Sequence, residues 1–85
     1  MILRLRHDVS TADTEHGLVL LDEHTGRYWQ LNRTGTLVLR SLLDGHTRQE
    51  TAQVLATRFA VTAEQAAADV TALLERLQTA GLVIP

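Results

Sequence analysis

Leu3 and Leu5 alternate with Arg4 and Arg6, the period of two that marks a strand with one buried face. The polar stretch at residues 10–15 reads as a loop. Gly17-Leu18-Val19-Leu20-Leu21 is an unbroken apolar run of strand length. Such a run is expected of a strand covered on both faces or central in its sheet. Residues 22–26 form a second loop with Gly26 at its end, the composition of a longer hairpin connection whose Gly takes a left-handed conformation. Arg27-Tyr28-Trp29-Gln30-Leu31 returns as a third strand. These lengths predict a three-stranded antiparallel meander with the second strand in the middle. The outer edge of the third strand is left free, and a free edge can pair with another peptide.

After Leu31 the period changes. Asn32 is a good helix cap, because its side chain accepts from the unpaired N–H groups of a first turn. Leu37, Val38, Leu42 and Leu43 then fall mainly on one face, and Asp44-Gly45 ends the helix with a residue suited to the left-handed stop. Thr47-Arg48-Gln49-Glu50 and Thr62-Ala63-Glu64-Gln65 read as capping boxes opening two further helices. The second helix presents Ala52, Leu55, Ala56 and Phe59 as its apolar set, and the third presents Ala66, Val70, Leu73, Leu74 and Leu77 before Gly81. Leu82, Val83, Ile84 and Pro85 read as a short extended tail that docks on the rest. The predicted fold is α+β: a three-stranded antiparallel β-meander followed by three α-helices, a winged-helix-like order. Residues 1–85 are expected to form one domain, with no linker, repeat or low-complexity segment.

Composition narrows the functions. With 45% hydrophobic residues but one Phe, one Tyr and one Trp, the core must be mostly Leu, Val and Ala. There is no cysteine, so disulfides, thiolate zinc sites and a cysteine nucleophile are excluded. A small domain without such staples fits a reducing cytoplasm. The start of the chain, with arginines interrupting its apolar residues, is not expected to be a signal peptide. No apolar run approaches the roughly 18 residues needed to span a bilayer. The net charge of −2, with Arg as the only strong cation, gives no long-range attraction to nucleic acid or acidic membranes.

Candidate chemistry is sparse. His7, His16, His24 and His46 lie at predicted strand ends, loops or turns, without the helical i, i+4 spacing of a zinc site. Neither Ser10 nor Ser41 has a nucleophile-elbow context, and Gly35 and Gly45 belong to no phosphate-cradling loop. No metal, cofactor or enzymatic activity is expected. The winged-helix-like order raises DNA reading as a rival, with the third helix in the groove. Its outer face offers Glu64, Asp69, Glu75 and Arg76, an acidic set where a major-groove helix needs cations and amides.

One segment says more than the rest. Gly26-Arg27-Tyr28-Trp29-Gln30-Leu31-Asn32-Arg33-Thr34-Gly35, followed by Leu42-Leu43-Asp44-Gly45, resembles the PqqD family of peptide chaperones and leader-peptide recognition elements. The likeness runs over nearly the whole chain: an aromatic strand, Leu-Asn, a Thr-Gly helix start, a Leu-Asp-Gly stop and a Thr-opened second helix. A chain of this length is most similar to the stand-alone recognition proteins of lasso-peptide biosynthesis. Radical S-adenosylmethionine enzyme partners of the pyrroloquinoline quinone type share the motif. The sequence departs from the family at Leu39 or its neighbour, where a bulky aromatic is usual.

The resemblance implies a mechanism. The leader of a ribosomally made precursor would lie antiparallel to the third strand, with its side chains in a groove against the third helix. The main-chain partners would be Arg27, Tyr28, Trp29, Gln30 and Leu31, and the helical rim would be Asp69, Leu73 and Arg76, one stripe at i, i+4, i+7. The implied partners are a separate leader protease and, later, a cyclase, with neither nucleic acid nor membrane. Read from the residues alone, alternatives stay open. Trp29 and Leu31 also fit the inner sheet face as core, with Tyr28 and Gln30 facing the other way. Asp69 and Arg76 also fit a solvated helix surface, and Leu73 fits core or groove wall.

Overall fold

Three side chains set the helical half of the molecule. Asn32 Oδ1 accepts from the Gly35 amide at 2.9 Å, Thr47 Oγ1 from Glu50 at 3.0 Å and Thr62 Oγ1 from Gln65 at 3.0 Å. Each fills one of the donors that a first turn leaves unpaired. In the computed structural model, which describes residues 3–84, they open α1 (Arg33–Leu43), α2 (Arg48–Phe59) and α3 (Ala63–Thr79). The Thr47 box is complete, with Glu50 reaching back to the Thr47 amide at 2.8 Å. The predicted box at Thr62 is only half formed: the Gln65 side chain instead donates to Asp69, one turn on, at 2.8 Å. Expectations touching Met1, Ile2 and Pro85 lie outside the described residues.

Ahead of the helices run β1 (Arg4–Leu5), β2 (Val9–Thr14), β3 (Gly17–Asp22) and β4 (Arg27–Leu31), and β5 (Val83–Ile84) follows them. The three-stranded antiparallel sheet has the order β2-β3-β4, so the apolar run is indeed central. Its first strand, however, is not the one expected. The stretch read as a polar loop is β2, paired with β3 from Val9↔Asp22 to Thr14↔Gly17. Only Val9 of β2 is buried, so the strand shows no alternation to read. Pairing with an apolar neighbour, rather than its own burial, holds it in place.

The alternating Leu3–Arg6 stretch forms β1, which pairs with β5 at the chain's other end. The apolar tail thus becomes a strand. Leu3, Leu82 and Val83 seal one end of the core, and Arg6 fastens the junction: it donates to the Gly81 carbonyl at 2.7 Å and to Asp22 at 2.5 Å, and pairs with Asp8.

The core lies between the inner sheet face and the helices. Leu18, Leu20 and Leu31 meet Val38, Leu39 and Leu42 of α1, Leu55 of α2, and Ala66, Val70, Leu73, Leu74 and Leu77 of α3. The α3 stripe matches its periodicity in full. In α1 the buried set is Val38, Leu39 and Leu42, with Leu37 and Leu43 only partly covered. In α2 the buried set is Thr51, Ala52 and Leu55, and Phe59, expected inside, is 36% exposed. The buried Thr51 hydroxyl is satisfied by Ser41 at 2.8 Å, which ties α2 to α1.

Candidate functional site: a groove between an edge strand and a helix

β4 is the last strand of its sheet, bonded to β3 on one side only. Its pleat sends Arg27, Trp29 and Leu31 to the inner face and Tyr28 and Gln30 to the outer one. Along the inner face burial falls from the helix end to the hairpin end. Leu31 is fully buried, Trp29 half-buried and Arg27 exposed. The sheet therefore runs past the edge of the helical layer, and the indole of Trp29 stands at that boundary. The Arg27 guanidinium lies over it, 5.3 Å from the ring centroid, an attraction of about 0.5–1 kcal/mol where solvent reaches it. On the outer face Tyr28 is 71% exposed.

Between this strand and α3 runs an open groove of about 700 Å³. Arg27 and Trp29 form one wall, and Ala72, Glu75, Arg76 and Thr79 form the other. A smaller hollow of about 190 Å³ continues it toward the start of α1, lined by Asn32, Thr34, Gly35, Asp69, Ala72, Leu73 and Arg76 among others. Ala72 and Arg76 border both, so the two hollows follow one side of α3.

The residues expected from the sequence fall into three groups. Arg27, Trp29 and Arg76 line the main groove, and Asp69, Leu73 and Arg76 line the smaller hollow. Leu73 is only 8% exposed, so it is core and wall together. Leu31 is core, while Tyr28 and Gln30 turn their side chains away and offer the site only backbone. Ala72, Glu75 and Thr79 were missed. The signal was present, because 72, 75, 76 and 79 share a face of one helix, but an alanine among polar residues announces nothing. Leu39, at the point of departure from the family pattern, is wholly buried and walls neither hollow.

Two local devices hold the strand wall. At the hairpin, the Asp22 carboxylate accepts from the backbone amides of His24 at 3.0 Å and Thr25 at 3.4 Å, and from Arg6. Burial works to raise the Asp22 pKa, but those amides and the guanidinium outweigh it and hold the carboxylate below its ordinary value. Gly26, at φ +77°, closes the same loop with its amide on the Asp22 carbonyl at 2.7 Å. At the other end Gly17 passes so close to β4 that a Cβ there would lie 2.1 Å from the Leu31 carbonyl oxygen.

The groove is lined by no histidine or serine among the described residues; of its threonines, Thr25 lies beside the Asp22 carboxylate, which accepts from its amide at 3.4 Å. Among the described residues no group of three or more His, Cys, Asp or Glu is placed to hold a metal ion. Among them, too, no helix is long and apolar enough to cross a membrane. What the groove does have is an unpaired strand edge, an aromatic wall, a small-residue floor at Ala72 and mixed charge from Arg27, Arg76 and Glu75. Asp22 is taken up by Arg6.

Comparison with known proteins places this geometry. No curated protein sequence gives a significant match. A solved structure described as "Lasso peptide synthetase B1 complexed with the leader peptide" is 41% identical over 100% of both chains, with a TM-score of 0.93. A second, "TbiB1 in Complex with the TbiA(beta) Leader Peptide", shares the fold at a TM-score of 0.84 and 22% identity, over 94% of this chain and 93% of that one. The family model described as "Coenzyme PQQ synthesis protein D (PqqD)" matches residues 17–83, from the central strand to the last. The chain, with its edge strand, its groove and its three capped helices, belongs to the PqqD family.

Proposed function

We propose that this protein binds the leader region of a ribosomally synthesised precursor peptide by strand addition at β4, and delivers it to a separate leader protease, a cyclase acting afterwards. The observation that supports it most is the pairing of a free edge with a groove. The sheet has two edges; β2 carries no aromatic residue, whereas β4 carries Tyr28 and Trp29 and borders the groove. Backbone pairing supplies affinity with little demand on sequence, and side chains of the added strand on the inner pleat enter the groove, where specificity arises. The 41% identical relative is itself a complex with a leader peptide, which supports the same reading. In this proposal the chain acts as a single cytoplasmic recognition domain that catalyses nothing. Its side of the site is Arg27, Trp29, Ala72, Glu75 and Arg76, the backbone from Arg27 to Leu31, and the Asp69–Leu73 hollow.

Isotope-edited NMR with the leader of the co-encoded precursor tests it. New amide protection is expected at alternate positions between Arg27 and Leu31, with shifts along residues 69–79. Protection confined to β1 or α2 overturns the docking model. The family description supports a second reading, a peptide chaperone for a radical enzyme. It uses the same groove and differs in the enzyme that receives the peptide, which co-purification with each enzyme separates. DNA reading is disfavoured, because the outer face of α3 presents Glu64, Asp69 and Glu75 against Arg76.

A further inference from the structure

We propose that the face formed by α1 and α2 is a second docking surface, which receives an acidic amphipathic helix of a protein partner. The hollow between these helices measures about 650 Å³ and shares no lining residue with the leader groove or its extension. Its apolar floor is Leu37, Val54 and Phe59. Val54 and Phe59 are 43% and 36% exposed, two of the large apolar side chains that the fold leaves in solvent. The hollow is preformed: a hydrogen bond at 2.8 Å between the hydroxyls of half-buried Ser41 and buried Thr51 ties together the two helices that make it.

Charge identifies the occupant. Arg33, Arg40 and Arg58 rim the hollow, against Asp44 as its lone lining carboxylate, in a chain whose net charge is −2. Arg40 is paired with Asp13, whereas Arg33 and Arg58 have no carboxylate partner among the described residues. An apolar floor between two free guanidiniums fits a helix with an i, i+3, i+7 apolar stripe flanked by Glu or Asp. A second copy of the chain docked on the same face would set arginines against arginines. A nucleic acid would leave Leu37, Val54 and Phe59 without a counterpart. Because the two sites are disjoint, leader and partner can be held at once. Naming that partner as the enzyme that receives the peptide rests on the function proposed above; the surface does not.

The test is an NMR titration of the labelled chain with a synthetic amphipathic helical peptide of about 15 residues, leucines on one stripe and glutamates beside it. Saturable shifts are expected only around residues 33–44 and 54–59, with affinity falling several-fold between about 50 and 200 mM salt. Arg58→Glu and, separately, Arg33→Glu should each weaken binding about tenfold, while leader affinity and the unfolding midpoint stay unchanged. The same peptide with lysines for glutamates should not bind. The proposal is overturned by absent saturation, by equal binding of the lysine peptide, by shifts at Trp29 and Ala72, or by duplex DNA or self-association occupying this face instead. A leader titration in the same sample keeps the two ideas apart. Loss of leader binding with the acidic peptide still bound sinks only the leader reading.

Discussion

Ala72 and Leu73 are consecutive on α3 and do opposite things. Leu73 is 8% exposed and packs into the core, with one edge on the smaller hollow, while Ala72 is exposed and borders both hollows. Leu73→Asp would bury a carboxylate without a partner, a cost of several kcal/mol, so we expect it to abolish leader binding by unfolding the chain, visible as loss of the cooperative thermal transition. Ala72→Glu should instead leave that transition in place, because its side chain enters open space. It should reduce leader affinity at least tenfold by filling the groove floor and adding like charge beside Glu75. Near-normal leader binding by Ala72→Glu would show that the peptide does not use this side of α3.

Among the elements, β4 and α1 stand or fall together at their junction. Asn32 caps α1 through Gly35, and its carbonyl also accepts the Thr36 hydroxyl at 2.8 Å. Asn32→Ala should cost about 1 kcal/mol, measured by denaturant midpoint at unchanged m-value. Gly17 is the harsher case. It sits at φ +144°, and its Cβ would strike the Leu31 carbonyl. Gly17→Ala should therefore cost at least the 1–3 kcal/mol typical of a strained backbone residue, and should displace the end of β4, lowering leader affinity even where folding persists. A Gly17→Ala protein with wild-type stability would contradict the close approach. These elements were legible wherever a local signal existed. Caps, glycine stops and the α3 stripe stand in the sequence because they are made of neighbours. β2 was not, since a strand with one buried residue has no period, and its partner rather than its composition makes it a strand.

At the scale of the molecule, one arginine joins both chain ends to the hairpin. Arg6 bonds Asp8, Asp22 and the Gly81 carbonyl, so β1, the β3–β4 turn and the approach to β5 are one unit. The pKa of Asp8 is lowered chiefly by its hydrogen bond from Arg6, and that of Glu50 by the Thr47 amide. With Asp22 also lowered, the unfolded chain binds more protons than the folded one just below the ordinary carboxylate range. Stability should hold at neutral pH, begin to fall below about pH 4 and decline further as the folded carboxylates protonate. Asp22→Asn should flatten part of that fall, as thermal midpoints from pH 7 to pH 2 would register. Leader binding itself should depend weakly on ionic strength. A reader of several phosphates loses orders of magnitude between about 50 and 200 mM salt, whereas backbone pairing and an apolar groove do not. Tight, steeply salt-dependent binding of duplex DNA with no affinity for the leader would overturn the leader reading and favour DNA reading.

The sequence by itself determined the helices, the central position of β3, the edge strand and the family, because capping, amphipathic period and a contiguous motif act over a few residues. Arg27, Trp29 and Arg76, which the family resemblance implied as site residues, line the groove. Tertiary structure alone decided that Leu3–Arg6 pairs with the far terminus, that residues 9–14 complete the sheet, and that Phe59 stays outside. Each of these depends on a partner distant in the chain, and no local pattern encodes that distance. The groove itself belongs to this second class. Its floor is an alanine and its depth is the gap left where β4 outruns the helical layer, a shape that exists only once sheet and helix have packed.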